Sequence, residues 1–118
     1  MASVYEHEDI VTFLKQVFEE RKKTNYSYSL RSFARAIGMS ASHLLRVMNR
    51  TKKISLNMAA KIAQQLHLSW SETNYLLLLA KLNSADSENE IAEITGKIQD
   101  LRSESNTTTV DQIGRAHV

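Results

Sequence analysis

Apolar residues recur at helical spacing along most of this chain. Ile10, Phe13, Leu14, Val17 and Phe18 fall at i, i+3, i+4, i+7 and i+8. That places them on one helical face and predicts a helix over residues 8–23. Asp9 near its start and Arg21, Lys22 and Lys23 near its end complement the helix dipole. Residues 24–28 are polar and break the pattern. A short second helix over 30–37 is capped by Ser29, turns Leu30, Phe33, Ala34 and Ile37 inward, and is stopped by Gly38. A third over 41–48 is capped by Ser40 and turns Leu44, Val47 and Met48 inward.

Arg50, Thr51, Lys52, Lys53 and Ile54 read as a loop. Ser55 then opens a fourth helix to about Leu66, with Leu56, Ala59, Ala60, Ala63 and Leu66 as its inner face. Ser69-x-x-Glu72 is a capping box that opens a fifth helix ending near Leu82. Its Leu76-Leu77-Leu78-Leu79 run is apolar on more than one face and must be covered on more than one side. A second box, Ser87-x-x-Glu90, opens a sixth helix to about Arg102, where Ile91, Ile94, Ile98 and Leu101 are spaced as in a coiled-coil seam. The seam is too short for a free-standing coiled coil. It predicts a helix that covers one side of the fifth, with a homodimer interface using Leu78, Leu79 or Leu82 together with the stripe. The polar tail over 104–118 holds three consecutive threonines and is expected to be disordered. The expected organisation is a helical domain over 1–83, an additional helix for dimerisation over 84–103, and the tail.

Composition agrees with an all-α chain of one domain: 118 residues, no proline and three glycines. The absence of cysteine excludes disulfides and thiolate metal sites. No apolar run approaches the ~18 residues of a membrane span, and the first residues do not read as a secretory leader, so no membrane association and a cytoplasmic location are expected.

The net charge of +2 conceals an asymmetry. Residues 21–71 contain no Asp or Glu and ten bases: Arg21, Lys22, Lys23, Arg31, Arg35, Arg46, Arg50, Lys52, Lys53 and Lys61. The flanks hold the other five bases and all thirteen acids. A strongly basic segment in an acidic frame is the footprint of a polyanion-binding surface.

Within that segment two short helices meet at a sharp turn. Ala34 is small enough for the third helix to cross closely over the second, and Gly38 makes the turn four residues later. Phe33, Ile37, Met39, Leu44 and Val47 pack the corner. Ser40 caps the second of the pair and leaves its first amides facing outward, as a groove lined with phosphates requires.

These residues resemble the lambda-repressor/Cro (XRE-type) helix-turn-helix, over about residues 29–68, including the basic loop and Ser55-Leu-x-x-Ala-Ala-Lys-Ile-Ala. More narrowly, Phe13-Leu-Lys, Phe18-Glu-Glu-Arg-Lys-Lys and Ser29-Leu-Arg-Ser-Phe-Ala-Arg are similar to the N-terminal part of a group of bacterial regulators. Those carry a larger C-terminal domain of poorly defined function, and no such domain is expected within these 118 residues. The resemblance implies a five-helix bundle, here with an additional C-terminal helix, and a protein of the bacterial nucleoid. The third helix would enter the DNA major groove. Carried over by position, Ala41, Ser42, Leu45, Arg46 and Asn49 would face the groove, with Arg46 suited to guanine and Asn49 to adenine. Ser40 and Ser42 suit phosphate or base contacts, and Arg31, Arg50, Lys52 and Lys53 would hold backbone phosphates.

The chain departs from the family at several positions. Leu30 stands where Gln commonly touches DNA, and Asn49-Arg50 where Asn-Gly is usual. Asn49 is then a candidate for the left-handed cap, which would cost it a base-reading role. Leu45 suits either a thymine methyl or a protein surface. His43 is either a groove contact or a solvated histidine, and Arg46 and Arg50 also fit ordinary surface arginines. Trp70, Tyr26 and Tyr28 read as core or rim aromatics. His7, His43, His67 and His117 lack metal-ligand spacing, and neither a nucleophile motif nor a glycine-rich phosphate loop is present, so no metal, cofactor or enzymatic activity is expected. Two function classes result. One is a dimeric, sequence-specific regulator on double-stranded DNA, favoured by the basic segment. The other is an adaptor that uses the fold to bind a protein partner, favoured by Leu30, Leu45 and Arg50.

Overall fold

The computed structural model describes the backbone of residues 3–115 and the side chains of residues 3–103. A 3-10 turn at Val4–Glu6 precedes six helices: α1 (Ile10–Thr24), α2 (Leu30–Ile37), α3 (Ala41–Met48), α4 (Leu56–Gln65), α5 (Trp70–Ser84) and α6 (Glu88–Arg115). No strand occurs among the described residues. The fold is the expected all-α five-helix bundle with an additional C-terminal helix.

Each helix start has a local cause. Asp9 caps α1 by accepting the Val11 N–H at 3.0 Å, and Ser29, Ser40 and Ser55 cap α2, α3 and α4 by accepting the amide three residues on. The Ser69–Glu72 capping box is complete at α5: the Glu72 N–H donates to Ser69 Oγ at 3.1 Å and the Ser69 N–H to Glu72 Oε1 at 2.8 Å. At α6 the Glu90 N–H donates to Ser87 Oγ, but the Glu90 carboxylate accepts from Asp86 N–H, one residue earlier than the motif anticipates.

Three successive helices end in one motif. Gly38 (φ +82°), Arg50 (φ +63°) and His67 (φ +58°) follow α2, α3 and α4 in the left-handed conformation. The next amide reaches back each time: Met39 N–H to Ala34 O, Thr51 N–H to Arg46 O, and Leu68 N–H to Ala63 O, at 2.9, 2.9 and 3.0 Å. This is the Schellman closure. Its tight reversal at Gly38 directs the chain from α2 into α3, which is what fixes the angle between the two helices.

Around this frame the core is wholly apolar. Phe13, Leu14, Phe33, Ile37, Leu44, Ile62, Tyr75 and Leu76 are among its fully buried side chains, and Ala34 at 1% exposure sits between α2 and its neighbours as the close crossing requires. Phe18, Tyr28 and Phe33 form an aromatic cluster with ring centroids 5.5–6.4 Å apart. The Tyr75 hydroxyl donates to His7 O at 2.5 Å, and its ring meets Tyr5 edge-on, which fastens the N-terminal turn to α5.

The fifth helix is covered on several sides, as its leucine run demands: α1, α4, α6 and the N-terminal turn all pack against it. Ile94 and Ile98 of α6 are buried in this packing, as is Leu79. These three therefore cannot belong to an exposed dimer interface, and the stripe expected to serve one is largely consumed within the chain. Leu78 and Leu82 stay half-buried and Ile91 exposed.

Other differences from the sequence reading have local reasons. The inner face of α4 is Ala59, Ile62, Ala63 and Leu66; Leu56 and Ala60 point to solvent. Leu56 is the first residue of the helix, ahead of the turn that meets the core. Tyr26 and Trp70, expected in the core or at its rim, are 88% and 80% exposed, and only Tyr28 is half-buried. Both exposed aromatics stand in or beside connections rather than on an apolar stripe. Helical backbone continues past Arg102 to Arg115, since no proline follows and no glycine lies between Arg102 and Gly114. The expected disordered tail thus overlaps this helix, and its last three residues lie outside the described ones.

Candidate nucleic-acid interface

Burying Leu44 and Val47 fixes which face of α3 looks outward. Ser42, Leu45, Arg46 and Asn49, at i, i+3, i+4 and i+7, are all exposed. Ala41 and His43 are half-buried on the flanks of this stripe. Ser40 spends its oxygen on the cap, accepting the His43 N–H at 3.1 Å. Asn49 ends the helix at φ −85°, not in the left-handed region; Arg50 takes that conformation instead. Asn49 therefore stays on the outward stripe, one turn from Leu45.

The bases around this face divide into engaged and open ones. The Arg50 guanidinium meets the Asp9 carboxylate, and Lys53 Nζ lies 3.6 Å from Asp86. Arg31, Arg46 and Lys52 are exposed and make no ion pair among the described residues. Thr51 Oγ1 donates to Arg46 O at 3.1 Å and adds a side-chain tie to the closure of α3.

His43 lies within the influence of two of these cations. Burial, then the charges of Lys52 and Arg46, push its pKa below the ordinary 6.5. Its Nε2 is shielded from water and has no hydrogen-bond partner. The ring is therefore held neutral at neutral pH. Leu30, at the position where the family commonly has a polar contact, is half-buried. It lines a groove with Lys15, Phe18, Glu19 and Met48, so an apolar residue there serves packing between α1, α2 and α3.

Residues 17–72 match the helix-turn-helix family model. This segment is a helix-turn-helix domain. It is of the XRE kind that the sequence resembles, a DNA-binding regulator domain family and not an enzyme family. Its two named helices are α2 and α3, with Gly38, Met39 and Ser40 as the turn. The matched span nearly coincides with the acid-free residues 21–71. No curated protein and no solved structure matches the chain. Among the described residues no helix is long and apolar enough to cross a membrane, and no group of three or more His, Asp or Glu could hold a metal ion.

Sequence reasoning missed the acids that the helix-turn-helix meets. Asp9 lies 41 residues from Arg50 and looks like a simple N-cap, which it also is. Asp86 sits in the α5–α6 connection, where nothing local points to Lys53. Only Thr51, one residue past a left-handed position, carried a local signal.

Proposed function

We propose that this protein is a sequence-specific, double-stranded DNA-binding regulator of the bacterial type, reading the major groove with α3. The observation that carries this is the outward stripe of α3: Ser42, Leu45, Arg46 and Asn49, exposed together inside a segment of +10 that has no acid of its own. Arg46 and Asn49 are the side chains that hydrogen-bond base edges bidentately, to guanine and adenine respectively. Arg31 and Lys52, open and basic beside this stripe, fit phosphates, which set register without reading sequence. Arg50 and Lys53 fit the same role only on exchanging Asp9 and Asp86 for phosphate.

Two copies on one duplex complete the reading, because one eight-residue helix reaches few base pairs and a two-fold pair spaced by one helical turn doubles them. Their interface must be built from what intramolecular packing leaves, such as Leu78, Leu82 and Ile91.

The test is duplex binding across a salt series, followed by selection from a random duplex library. Binding should weaken steeply with salt, at a log–log slope of about −0.9 for each phosphate neutralised, and selection should converge on one sequence. No binding to any duplex at low salt would defeat this reading and leave the protein-adaptor one.

A further inference from the structure

We infer that Leu45 is a specificity-determining residue that recognises the C5-methyl group of a thymine in the major groove; this rests on the DNA-reading role of α3 proposed above. Leu45 sits in the middle of that helix and is 49% exposed, while its neighbour Leu44 is fully buried. It belongs neither to the core nor to the half-buried residues that pack on it. Its place is fixed by the helix, not by its own packing.

The surroundings decide what such a leucine can meet. On α3 the exposed positions three before, one after and four after it are Ser42, Arg46 and Asn49, all hydrogen-bonding groups. A protein-docking patch is a contiguous apolar surface. On α3 Leu45 is the one exposed apolar side chain, set among polar ones, while Ala41 and Met48 beside it are half-buried against the core. A major-groove edge has the complementary pattern. It consists of donors and acceptors, with one apolar group among them, the thymine methyl. Set against the edge of guanine, adenine or cytosine, Leu45 would strip water from a donor or acceptor and give nothing back. Against thymine it buries a methyl while Arg46 and Asn49 hydrogen-bond neighbouring bases.

Methyl deletion tests this directly. The full chain is used to select a preferred duplex from a random library, and each thymine of that site is replaced in turn by deoxyuridine, which removes only the methyl. One thymine per bound copy should prove sensitive, with an affinity loss of about fourfold, the worth of one buried methyl. In Leu45→Ala the same replacement should have no effect, while Leu45→Met, which keeps an apolar tip, should retain the sensitivity. Leu45 is on the surface, so both variants should keep the parent's helical circular dichroism. A preferred sequence with no methyl-sensitive thymine, or a sensitivity unchanged in Leu45→Ala, overturns this inference and leaves the DNA-reading role standing. A library that yields no preferred sequence overturns both.

Discussion

One carboxylate joins the start of α1 to the end of α3: Asp9 accepts the Val11 N–H on Oδ1 and the Arg50 guanidinium on Oδ2. Arg50 is at the same time the left-handed residue that closes α3. The pair is partly exposed, so its contribution to stability is small, about 0–1 kcal/mol. The left-handed backbone costs a non-glycine residue more, roughly 1–2 kcal/mol. Arg50→Gly should therefore be more stable than Arg50→Ala by about 1 kcal/mol, although both lose the ion pair, and chemical denaturation reads the difference. Asp9→Asn keeps the cap and frees Arg50 for phosphate. Its affinity for arbitrary duplex DNA at low salt should rise, and an unchanged affinity would show that Arg50 does not reach the backbone.

The turn between α2 and α3 has a second constraint. Gly38 is left-handed, and a Cβ placed there would lie 2.9 Å from Lys61 Cε. Gly38→Ala should cost about 1–2 kcal/mol from the backbone alone, with a steric share that the flexible lysine tip relieves. Adding Lys61→Ala should recover only that minor share. Ala34→Leu should cost about 1–3 kcal/mol by overpacking the buried crossing of α2 and α3. If both substitutions melt like the parent, the tight turn does not hold these helices together.

The contrast between Gly38 and the other two left-handed positions shows what the chain made readable. A glycine in that place announces a helix end, and the α2 and α3 boundaries follow from it together with two serine caps. Arg50 and His67 make the same closure with no residue type to advertise it, so the left-handed cap after α3 was open to Asn49 on sequence alone. Periodicity identified the buried faces of α1, α2 and α3, while the leucine run marked α5 only as a helix to be covered on several sides. Periodicity misjudged α4 because Leu56 and Ala60 are apolar yet lie off the Ala59–Ile62–Ala63 line. For the candidate site, the outward stripe of α3 follows from the inward one, and was legible. The partners of Arg50 and Lys53 were not, since Asp9 and Asp86 arrive through tertiary packing that no local spacing encodes.

His43 gives the fold a pH dependence with a definite sign. Its folded pKa lies below the ordinary 6.5, through burial first and the Lys52 and Arg46 charges second. The unfolded chain therefore binds this proton more readily. The associated stability is complete above about pH 6.5 and is lost as pH falls through the lower folded value. Denaturation midpoints should drop between pH 7 and pH 5, and His43→Gln should flatten that drop. An equal drop in the variant would assign the effect to other groups.

Lys52 and Lys53 are adjacent in sequence but differ in freedom. Lys53 lies 3.6 Å from Asp86, whereas Lys52 pairs with no acid among the described residues. Each phosphate contact contributes about 0.9 to the salt slope. Lys52→Ala should flatten the slope of duplex binding by close to that amount, and Lys53→Ala by less, because its phosphate contact competes with Asp86. Neither should alter sequence preference, since phosphate contacts position the protein without reading bases. Equal slopes for the parent and Lys52→Ala would remove the loop from the interface.

The sixth helix separates an intramolecular role from an assembly role. Ile98 is 2% exposed against the rest of the bundle, whereas Ile91 on the same helix is 41% exposed. Ile98→Ala opens a cavity in the fold of a single chain and should cost about 2–5 kcal/mol. Because the contact is made within one chain, the loss should be independent of protein concentration. Ile91→Ala leaves the bundle packed and should cost well under that, about 0.5 kcal/mol or less as a surface change. Its effect belongs to assembly instead. If Ile91 lies in the two-fold interface, light scattering should show a parent dimer that dissociates more readily in the variant. An Ile98→Ala penalty that grows on dilution would mean that the stripe is shared between two chains, and that α6 holds the dimer together rather than closing its own bundle.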